Sequence, residues 1–145
     1  PFHSSRSHEI ILAPKVYGFD TGFICHYRGW NDLRPDDKGI LWEHFVLNEL
    51  YAQLQTNDLR YWRDKQKHEI DIVIPHARTP IAIECKWKAA AFQESPVASF
   101  IKQYPTAKIF VVTTDTPRPY TKHAAGTTIS FIGLDDLIKA LIPSP

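Results

Sequence analysis

Two stretches of the sequence, EIDIVI at residues 69–74 and IAIECKWK at residues 81–88, decide the fold. Apolar residues recur at every second position in both stretches, and this period is typical of β-strands. The segment between them, residues 75–80, begins and ends with proline and predicts a turn. We therefore expect two neighbouring antiparallel strands joined by that turn.

Each of these strands is expected to direct its side chains to two faces. In the first strand, one face is expected to carry Ile70, Ile72 and Ile74, and the other face Glu69, Asp71 and Val73. In the second strand, one face is expected to carry Ile81, Ile83, Cys85 and Trp87, and the other face Ala82, Glu84, Lys86 and Lys88. Asp71 and Glu84 therefore converge on one face. Two adjacent carboxylates raise each other's pKa unless a cation neutralises them, and such oxygen-rich sites suit Mg²⁺ or Mn²⁺.

Simpler interpretations of these residues stay open. Asp71 is an ordinary exposed residue if only one face of the sheet is covered. Glu84 and Lys86 then form a common salt bridge on the same face, with no chemical role.

A helix predicted over Gly39–Gln55 precedes the strands, and it carries an acid in an unusual place. Glu43 shares an inward-facing stripe with leucines at helical spacing, namely Leu47, Leu50 and Leu54. A buried carboxylate is costly unless it is paired, so Glu43 either joins the acidic group or reaches solvent at the rim. Asp36 or Asp37 is expected to cap this helix.

The remaining segments predict an α/β domain. Leu59–Asp64 forms a hairpin with the first strand, and Lys15–Asp20 is expected to be a short strand. Later segments predict, in order, a helix at Ser95–Gln103, a strand at Lys108–Thr114, a loop at 115–127, a strand at Thr128–Ile132 and a helix at Leu134–Leu141. The order α-β-β-β-α-β favours a mixed β-sheet flanked by helices over residues 15–145, with residues 1–14 as a linker or the tail of a preceding domain.

Composition excludes several classes of protein. The chain has 145 residues, a net charge of +1 and no GxxxxGK[ST] or GxGxxG sequence, so no nucleotide-binding loop is predicted. No apolar run approaches the ~18–20 residues that cross a bilayer, so we expect a cytoplasmic protein without membrane contact. Cys25 and Cys85 predict free thiols, with a disulfide between them as the alternative. The chain begins at Pro1 and has no methionine, so we expect a fragment of a longer protein.

The ordered set of Glu43, Asp71, Glu84 and Lys86 resembles the PD-(D/E)XK nuclease superfamily over residues 38–114, although Ile70 stands where the motif has proline. The resemblance implies a restriction-endonuclease-like core. A closer likeness covers residues 14–142 and is carried by PKVYGFDTGF, GILWEHFVLNEL, YWRDKQKHEIDIVI and IAIECKWK. It is to an uncharacterised nuclease-like domain C-terminal to an AAA+ ATPase module, and it implies an ATPase and a winged-helix region N-terminal to Pro1.

The superfamily resemblance implies roles for the four residues. Asp71 and Glu84 would bind the divalent metal with the backbone carbonyl of Cys85, and Glu43 would complete or adjust the ligand shell. Lys86 would orient or deprotonate the attacking water and contact the phosphate. Gln93, Ser95 and Lys102 are weaker candidates for assistance.

Cations around the hairpin suggest a nucleic-acid surface. Arg63, Lys65, Lys67 and Lys88 are interleaved with Tyr61, Trp62 and Trp87, a mixture that suits phosphate binding. A solvated hairpin with core aromatic residues explains the same mixture, and from the sequence we favour this simpler interpretation.

Three functions follow as expectations. The first is metal-dependent cleavage of DNA, and the second is a non-catalytic module that docks DNA or a protein for the attached ATPase. The third is an interaction or homo-oligomerisation domain, suggested by the aromatic helix around Trp42 and Phe45.

Overall fold

A computed structural model of the chain describes residue 2 and residues 15–18, 20–76 and 79–142. Apart from Phe2, the predicted linker at residues 1–14 lies outside these described residues. The helices are α1 (Thr21–Tyr27), α2 (Pro35–Leu54), α3 (Glu94–Gln103) and α4 (Leu134–Leu141), with one 3₁₀ turn at Ala89–Ala91. The strands are β1 (Arg60–Arg63), β2 (Glu69–Ile74), β3 (Ile81–Lys86), β4 (Lys108–Thr113), β5 (Tyr120–Ala124) and β6 (Thr127–Ile132).

The strands form one mixed sheet in the order β1-β2-β3-β4-β6-β5. Strands β1, β2 and β3 are antiparallel neighbours, whereas β4 is parallel to both β3 and β6. Connection length explains the difference, because short turns join antiparallel strands while a parallel pair needs a longer connection, which contains α3 between β3 and β4 and contains β5 between β4 and β6. The predicted α/β architecture with a mixed sheet and flanking helices is confirmed.

Each face of the sheet is buried by helices. On one face α3 packs against a cluster that includes Trp62, Ile70, Val97 and Phe100. On the other face α2 and α4 cover a second cluster, which includes Leu47, Leu50, Ile72, Ile83 and Leu137. Because both faces are covered, strands β3 and β4 lie almost entirely out of solvent, and a charged side chain on them needs a partner.

Strand β2 differs from the simple alternation expected of EIDIVI. Arg60 pairs with Val73 and Trp62 pairs with Ile70, so β2 has one more residue than β1 over this interval, which is a β-bulge. Ile70 therefore joins the cluster under α3 while Ile72 joins the cluster under α2. The prediction that both isoleucines share one face is wrong, because the bulge reverses the alternation beside Asp71.

Helix α2 begins earlier than predicted. Pro35 occupies its first turn, and Asp37 accepts hydrogen bonds from the backbone N–H and the guanidinium of Arg34, the N-cap residue. Asp37 is thus the third residue of the helix and part of a capping box, and it is not itself the N-cap residue. The predicted loop at His26–Lys38 is correspondingly shorter, because it lies between the end of α1 and Pro35.

Two other segments also differ from the prediction. Residues 15–18 and Asp20 are not a strand, and Asp20 instead caps α1 through the backbone N–H of Phe23. Tyr120–Ala124, predicted as loop, is the edge strand β5. Its side chains are mostly exposed and polar, which is common in edge strands. The segment therefore lacks the alternation of apolar and polar residues by which a strand is predicted.

Cys25 and Cys85 are free thiols, so the predicted unpaired state is confirmed and the alternative of a disulfide is not. Within the described ranges, no helix combines the length and apolar character required to cross a membrane.

Candidate active site

The centre of the site is the place where β2 and β3 diverge. Their register runs from Ile74 opposite Ile81 to Ile72 opposite Ile83. Beyond it the carboxylate of Asp71 accepts a hydrogen bond from the backbone N–H of Cys85 at 2.9 Å. The side chain of Asp71 thus takes the place of a backbone partner, and it brings a carboxylate between the two strands beside Glu84.

Glu84 is a buried carboxylate, with 3% of the residue exposed. Its Oε2 accepts a hydrogen bond from Lys86 Nζ at 2.7 Å. Its Oε1 is also buried and has no hydrogen-bond partner among the described residues. Leaving such an oxygen unsatisfied is unfavourable, so Glu84 Oε1 is an acceptor available for a proton or a cation.

Burial and like charge shift the pKa values of both acids upward. Loss of solvation raises the pKa of Glu84 to about 8, and the Asp71 carboxylate adds to the shift. The pKa of Asp71 is raised by burial and then by Glu43. Burial alone would lower the pKa of Lys86, but the neighbouring carboxylates of Glu84 and Asp71 outweigh it and raise that pKa. Without a bound cation, Glu84 therefore holds a proton near neutral pH, while Lys86 is an ammonium ion.

Glu43 lies near these acids but is engaged by other groups. As predicted, it shares the inward stripe of α2 with the buried residues Leu47 and Leu50. Its Oε1 accepts hydrogen bonds from the hydroxyl of Tyr17 at 2.6 Å and from Lys15 Nζ at 3.2 Å. Glu43 was predicted either to join the acidic group or to reach solvent at the rim, and each prediction is partly correct. It lies close enough to Asp71 to raise the pKa of that carboxyl, and about a fifth of its side chain is exposed.

Lys15, for which no role was predicted, lies at the centre of the acidic group. Lys15 Nζ is 3.2 Å from Glu43, 3.1 Å from Glu69 and 3.7 Å from Asp71. Those carboxylates raise the pKa of Lys15, although burial opposes the shift. No local pattern could have revealed the contact, because Lys15 lies far from all three acids along the chain.

A cavity of about 400 Å³ opens onto the pair of acids from the α3 side. Glu84 and Lys86 line it together with Lys67 and His68, and so do the weaker candidates Gln93 and Ser95. Lys102 does not line it and lies exposed in the last turn of α3. A second, smaller cavity of about 160 Å³ reaches Asp71 from the α2 side and is lined by Lys15 and Tyr17.

The four candidate nucleic-acid contacts are not all brought to this cavity. Lys67 lines it, and Lys65 is exposed in the same hairpin turn. Arg63 forms an ion pair with Glu69. Lys88 is exposed beyond β3 and lines a different pocket with Trp87. The hairpin therefore presents cations beside the cavity, whereas Lys88 belongs to another surface.

His68 is a second residue that the sequence analysis missed. Its Nδ1 lies 2.7 Å from Asp64 Oδ2 and 3.1 Å from the hydroxyl of Ser99. A carboxylate only accepts hydrogen bonds, so the Nδ1 atom carries the proton. Asp64 also accepts from the backbone N–H of His68, which fixes the ring at the rim of the cavity.

The site offers few side chains that could bind a metal ion. In the part of the chain that the structure describes, no group of three or more His, Cys, Asp or Glu side chains is arranged so that it could hold a metal ion. Asp71 and Glu84 remain as an adjacent pair, and one or two carboxylates with water are what Mg²⁺ usually takes from a protein.

Fold and site together define an α/β domain with paired acids and a lysine at the divergence of two antiparallel strands. The chain belongs to the family described as Domain of unknown function (DUF4143), whose profile matches residues 38–132. The matched range covers all four predicted catalytic residues and excludes Lys15.

The chain is also similar to Uncharacterized protein Rv2008c of Mycobacterium tuberculosis and to Uncharacterized protein Mb2031c of Mycobacterium bovis. Each is 37% identical over 78 residues, which is 51% of this chain and 18% of the relative. The match therefore spans less than a fifth of the length of these curated relatives.

Proposed function

We propose that this domain hydrolyses phosphodiester bonds of DNA with a bound divalent cation, as a nuclease-type domain of the PD-(D/E)XK superfamily. Glu84 carries the proposal: it is buried, one of its oxygens lacks a partner among the described residues, and Asp71 and Lys86 adjoin it. A buried pair of acids that faces an open cavity is not explained by a contribution to stability, because removing charges from water costs free energy. Perturbed pKa values of this kind cluster at functional sites.

The topology supports a restriction-endonuclease-like assignment. The order α2-β1-β2-β3-α3-β4, with three antiparallel strands followed by a parallel one, agrees with the αβββαβ core that the resemblance implies. The candidate residues lie on α2, β2 and β3 in the order that the superfamily resemblance requires.

The residues present fit a single Mg²⁺ or Mn²⁺ ion. Asp71 and Glu84 would hold it, with the backbone carbonyl of Cys85 as a third oxygen. Glu84 Oε1, which has no partner among the described residues, is the acceptor that such an ion would satisfy. Glu43 would adjust the site through its neighbours, because Tyr17 and Lys15 already engage it. When bound, the cation would polarise the phosphoryl oxygen and lower the pKa of a coordinated water.

The positive charge of Lys86 supports one of the two roles predicted for it. Without a bound cation, burial opposes the charge of Lys86, but the adjacent carboxylates of Glu84 and Asp71 raise its pKa and favour the ammonium form. A positioned ammonium stabilises negative charge that develops on a phosphate during hydrolysis. We therefore propose that Lys86 binds the scissile phosphate and orients the water, while its predicted role as a base stays a prediction.

The test is cleavage of duplex and single-stranded DNA with Mg²⁺ or Mn²⁺, comparing the parent with Asp71→Ala and Lys86→Met. Asp135→Ala is a matched control, because Asp135 is an exposed acid on α4. We expect cleavage by the parent and the control, and loss of cleavage in the other two variants. An Asp71→Ala protein that cuts as fast as the parent would exclude this function and point to a contaminating nuclease.

A second candidate function, a non-catalytic docking module for DNA or protein, is favoured by one observation. The Lys15 ammonium already contacts Glu43, Glu69 and Asp71, so part of the acidic charge is neutralised without a metal. A parent protein that retards DNA in a gel, yet cuts none with either cation, would favour the docking module over the nuclease.

We also propose that the domain belongs to a larger protein with an ATPase module in the same chain, as the resemblance implies. The short coverage of the mycobacterial relatives is compatible with additional domains. Copurification of ATPase activity with the full-length protein tests this part separately.

A further inference from the structure

The imidazole of His68 is engaged at one of its two nitrogens, at the rim of the large cavity. Its Nδ1 lies 2.7 Å from Asp64 Oδ2 and 3.1 Å from the hydroxyl of Ser99. Since Nδ1 carries the proton, the neutral ring has its lone pair on Nε2. Nε2 has no hydrogen-bond partner among the described residues, and 32% of the His68 side chain is exposed. His68 therefore brings a proton acceptor to the cavity that Glu84 and Asp71 line.

Asp64 keeps a negative charge beside this ring. Burial raises the pKa of Asp64, but hydrogen bonds from the imidazole and the backbone N–H of His68 outweigh the burial and lower that pKa. A carboxylate that accepts from Nδ1 fixes the tautomer of a histidine, and it stabilises the imidazolium that forms when Nε2 takes up a proton. The pair thus has the arrangement of a general base with its orienting acid.

The hairpin turn between β1 and β2 does not depend on the imidazole. The backbone N–H of Asp64 donates to the carbonyl of His68 at 3.0 Å, and the N–H of Lys67 donates to the carbonyl of Asp64 at 3.2 Å. The backbone N–H of His68 donates to Asp64 Oδ1 at 2.8 Å. All three bonds use backbone atoms of residues 64, 67 and 68 or the side chain of Asp64. The turn therefore accounts for Asp64 and leaves the ring of His68 without a structural purpose there.

The three acids that line the same cavity are engaged with positive charge. Asp71 and Glu84 are the proposed ligands of the cation, and Glu69 is paired with Arg63 and Lys15. A carboxylate that binds a cation is a weak proton acceptor, because the cation favours its ionised form. None of the three is therefore suited to take a proton from water.

The rest of the polar lining consists of cations and uncharged groups. Lys67 adjoins His68 in the hairpin, and Lys86 is an ammonium ion without a bound cation. Gln93 and Ser95, at the start of α3, add an amide and a hydroxyl. These groups suit contacts with a phosphate, whereas histidine is the residue type that exchanges a proton near neutral pH.

We propose that His68 Nε2 accepts the proton of the attacking water, and that Asp64 is the positioning residue that holds the ring. This inference rests on the proposed function. The water oxygen forms a bond to phosphorus, its proton passes to Nε2, and the bond from phosphorus to the leaving sugar oxygen breaks. That oxygen takes a proton from solvent, and the imidazolium returns its proton to solvent.

The experiment measures kcat for DNA cleavage between about pH 5.5 and about pH 8.5 at saturating Mn²⁺, which keeps the ionisation of Glu84 out of the profile. We expect His68→Gln to lower kcat by about 10²–10⁴-fold with little change in KM, and to lose the rise of kcat with pH that the parent shows. Asp64→Asn should also lower kcat, because an amide can donate to Nδ1 and favour the wrong tautomer. His123→Gln is the matched control, since His123 is exposed on β5.

Two measurements distinguish a base from a structural role. Imidazole added to His68→Ala should restore part of the cleavage, and Mn²⁺ should bind His68→Gln as tightly as the parent by calorimetry. A lowered kcat with an unchanged pH profile and no rescue would show a structural role and overturn the inference. Loss of Mn²⁺ affinity in His68→Gln would overturn it as well, because a base outside the metal site does not bind the ion.

Nuclear magnetic resonance of the metal-free parent tests the tautomer without any variant, and it decides if His68→Gln fails to fold. Long-range coupling between ¹H and ¹⁵N in the ring should place the proton on Nδ1. A neutral ring protonated on Nε2 cannot accept there and would overturn the inference.

The outcomes separate this inference from the proposed function. Cleavage by the parent with the same kcat profile in His68→Gln overturns the role of His68, leaves the nuclease standing and favours Lys86 as the base. No cleavage by the parent with either cation overturns both. Cleavage that falls in His68→Gln, loses its pH dependence and is rescued by imidazole in His68→Ala supports both.

Discussion

The carboxylate of Asp71 accepts a hydrogen bond from the backbone N–H of Cys85 where the ladder between β2 and β3 ends. One side chain thereby serves two purposes. It satisfies a buried backbone donor, and it holds a carboxylate next to Glu84. Asp71 lies within the β-bulge interval of β2, between the pairs Arg60–Val73 and Trp62–Ile70.

Substitutions of Asp71 should separate these two purposes. Asp71→Asn keeps an oxygen that accepts from Cys85, whereas Asp71→Ala leaves that N–H unsatisfied at a cost of about 1–3 kcal/mol. We expect both variants to lose Mn²⁺ binding, and Asp71→Ala to be the less stable by about that amount. Urea unfolding and calorimetry measure the two effects. Equal stability of the two variants would show that the hydrogen bond to Cys85 contributes little.

The stability of the metal-free protein should fall as pH rises toward alkaline values. The folded pKa of Glu84, about 8, lies above its ordinary value of 4.5, so between these values the native state holds a proton that the unfolded chain has released. Stability from this group is therefore complete at low pH and is lost as pH rises through about 8. Asp71, whose pKa is also raised, acts in the same direction.

Glu84→Gln tests this dependence. Urea unfolding of the parent between about pH 5 and about pH 8.5 should show a decline on the order of 1–4 kcal/mol, and the variant should show a smaller one. Glu94→Gln is the matched control, because Glu94 is an exposed acid paired with Lys122. A parent and a Glu84→Gln variant with the same pH profile would contradict the prediction.

Binding of a divalent cation should release a proton. Glu84 must ionise to bind the cation, and below about pH 8 it is protonated in the free protein. Affinity for Mn²⁺ should therefore rise by up to about tenfold per pH unit until pH reaches that value, and then level off. Calorimetry in buffers of different ionisation enthalpy measures the number of protons released. Affinity that is independent of pH would place the ion away from Glu84.

The hairpin lysines should contribute to DNA binding through charge alone. Lys65→Gln and Lys67→Gln should each weaken binding to every DNA sequence and reduce the slope of log K against log salt by about 1. Lys139→Gln should leave the slope unchanged. Fluorescence anisotropy at several salt concentrations checks the prediction, and an unchanged slope in both hairpin variants would remove this surface from the DNA interface.

Phe100 should be essential for stability. It is fully buried on α3, and its ring packs edge-to-face with Trp62 at 5.2 Å between centroids. Phe100→Ala should cost about 3–5 kcal/mol, because it removes an aromatic ring and leaves a cavity in the core. Phe23→Ala, at a mostly exposed position, should change stability by less than about 0.5 kcal/mol. Thermal unfolding compares the two variants, and similar midpoints would contradict the packing described for α3.

Features that depend on local periodicity could be predicted from the sequence alone. The hairpin of β1 and β2, strand β3 and helix α4 lie close to their predicted positions, because alternating or helical spacing of apolar residues is a property of contiguous residues. The same reasoning placed Glu43 on the inward stripe of α2 and brought Asp71 and Glu84 together. The polar edge strand β5 had no such pattern, and the prediction missed it.

Only the tertiary structure decided how the charges of the site are paired. The β-bulge in β2 depends on its pairing with β1, so the alternation of EIDIVI alone could not show it. Lys15 reaches Glu43, Glu69 and Asp71 because the segment before α1 docks on α2. The burial that raises the pKa of Glu84 to about 8 likewise requires helices on both faces of the sheet. Electrostatics depends on distance in space and on solvation, and neither follows from the spacing of residues along the chain.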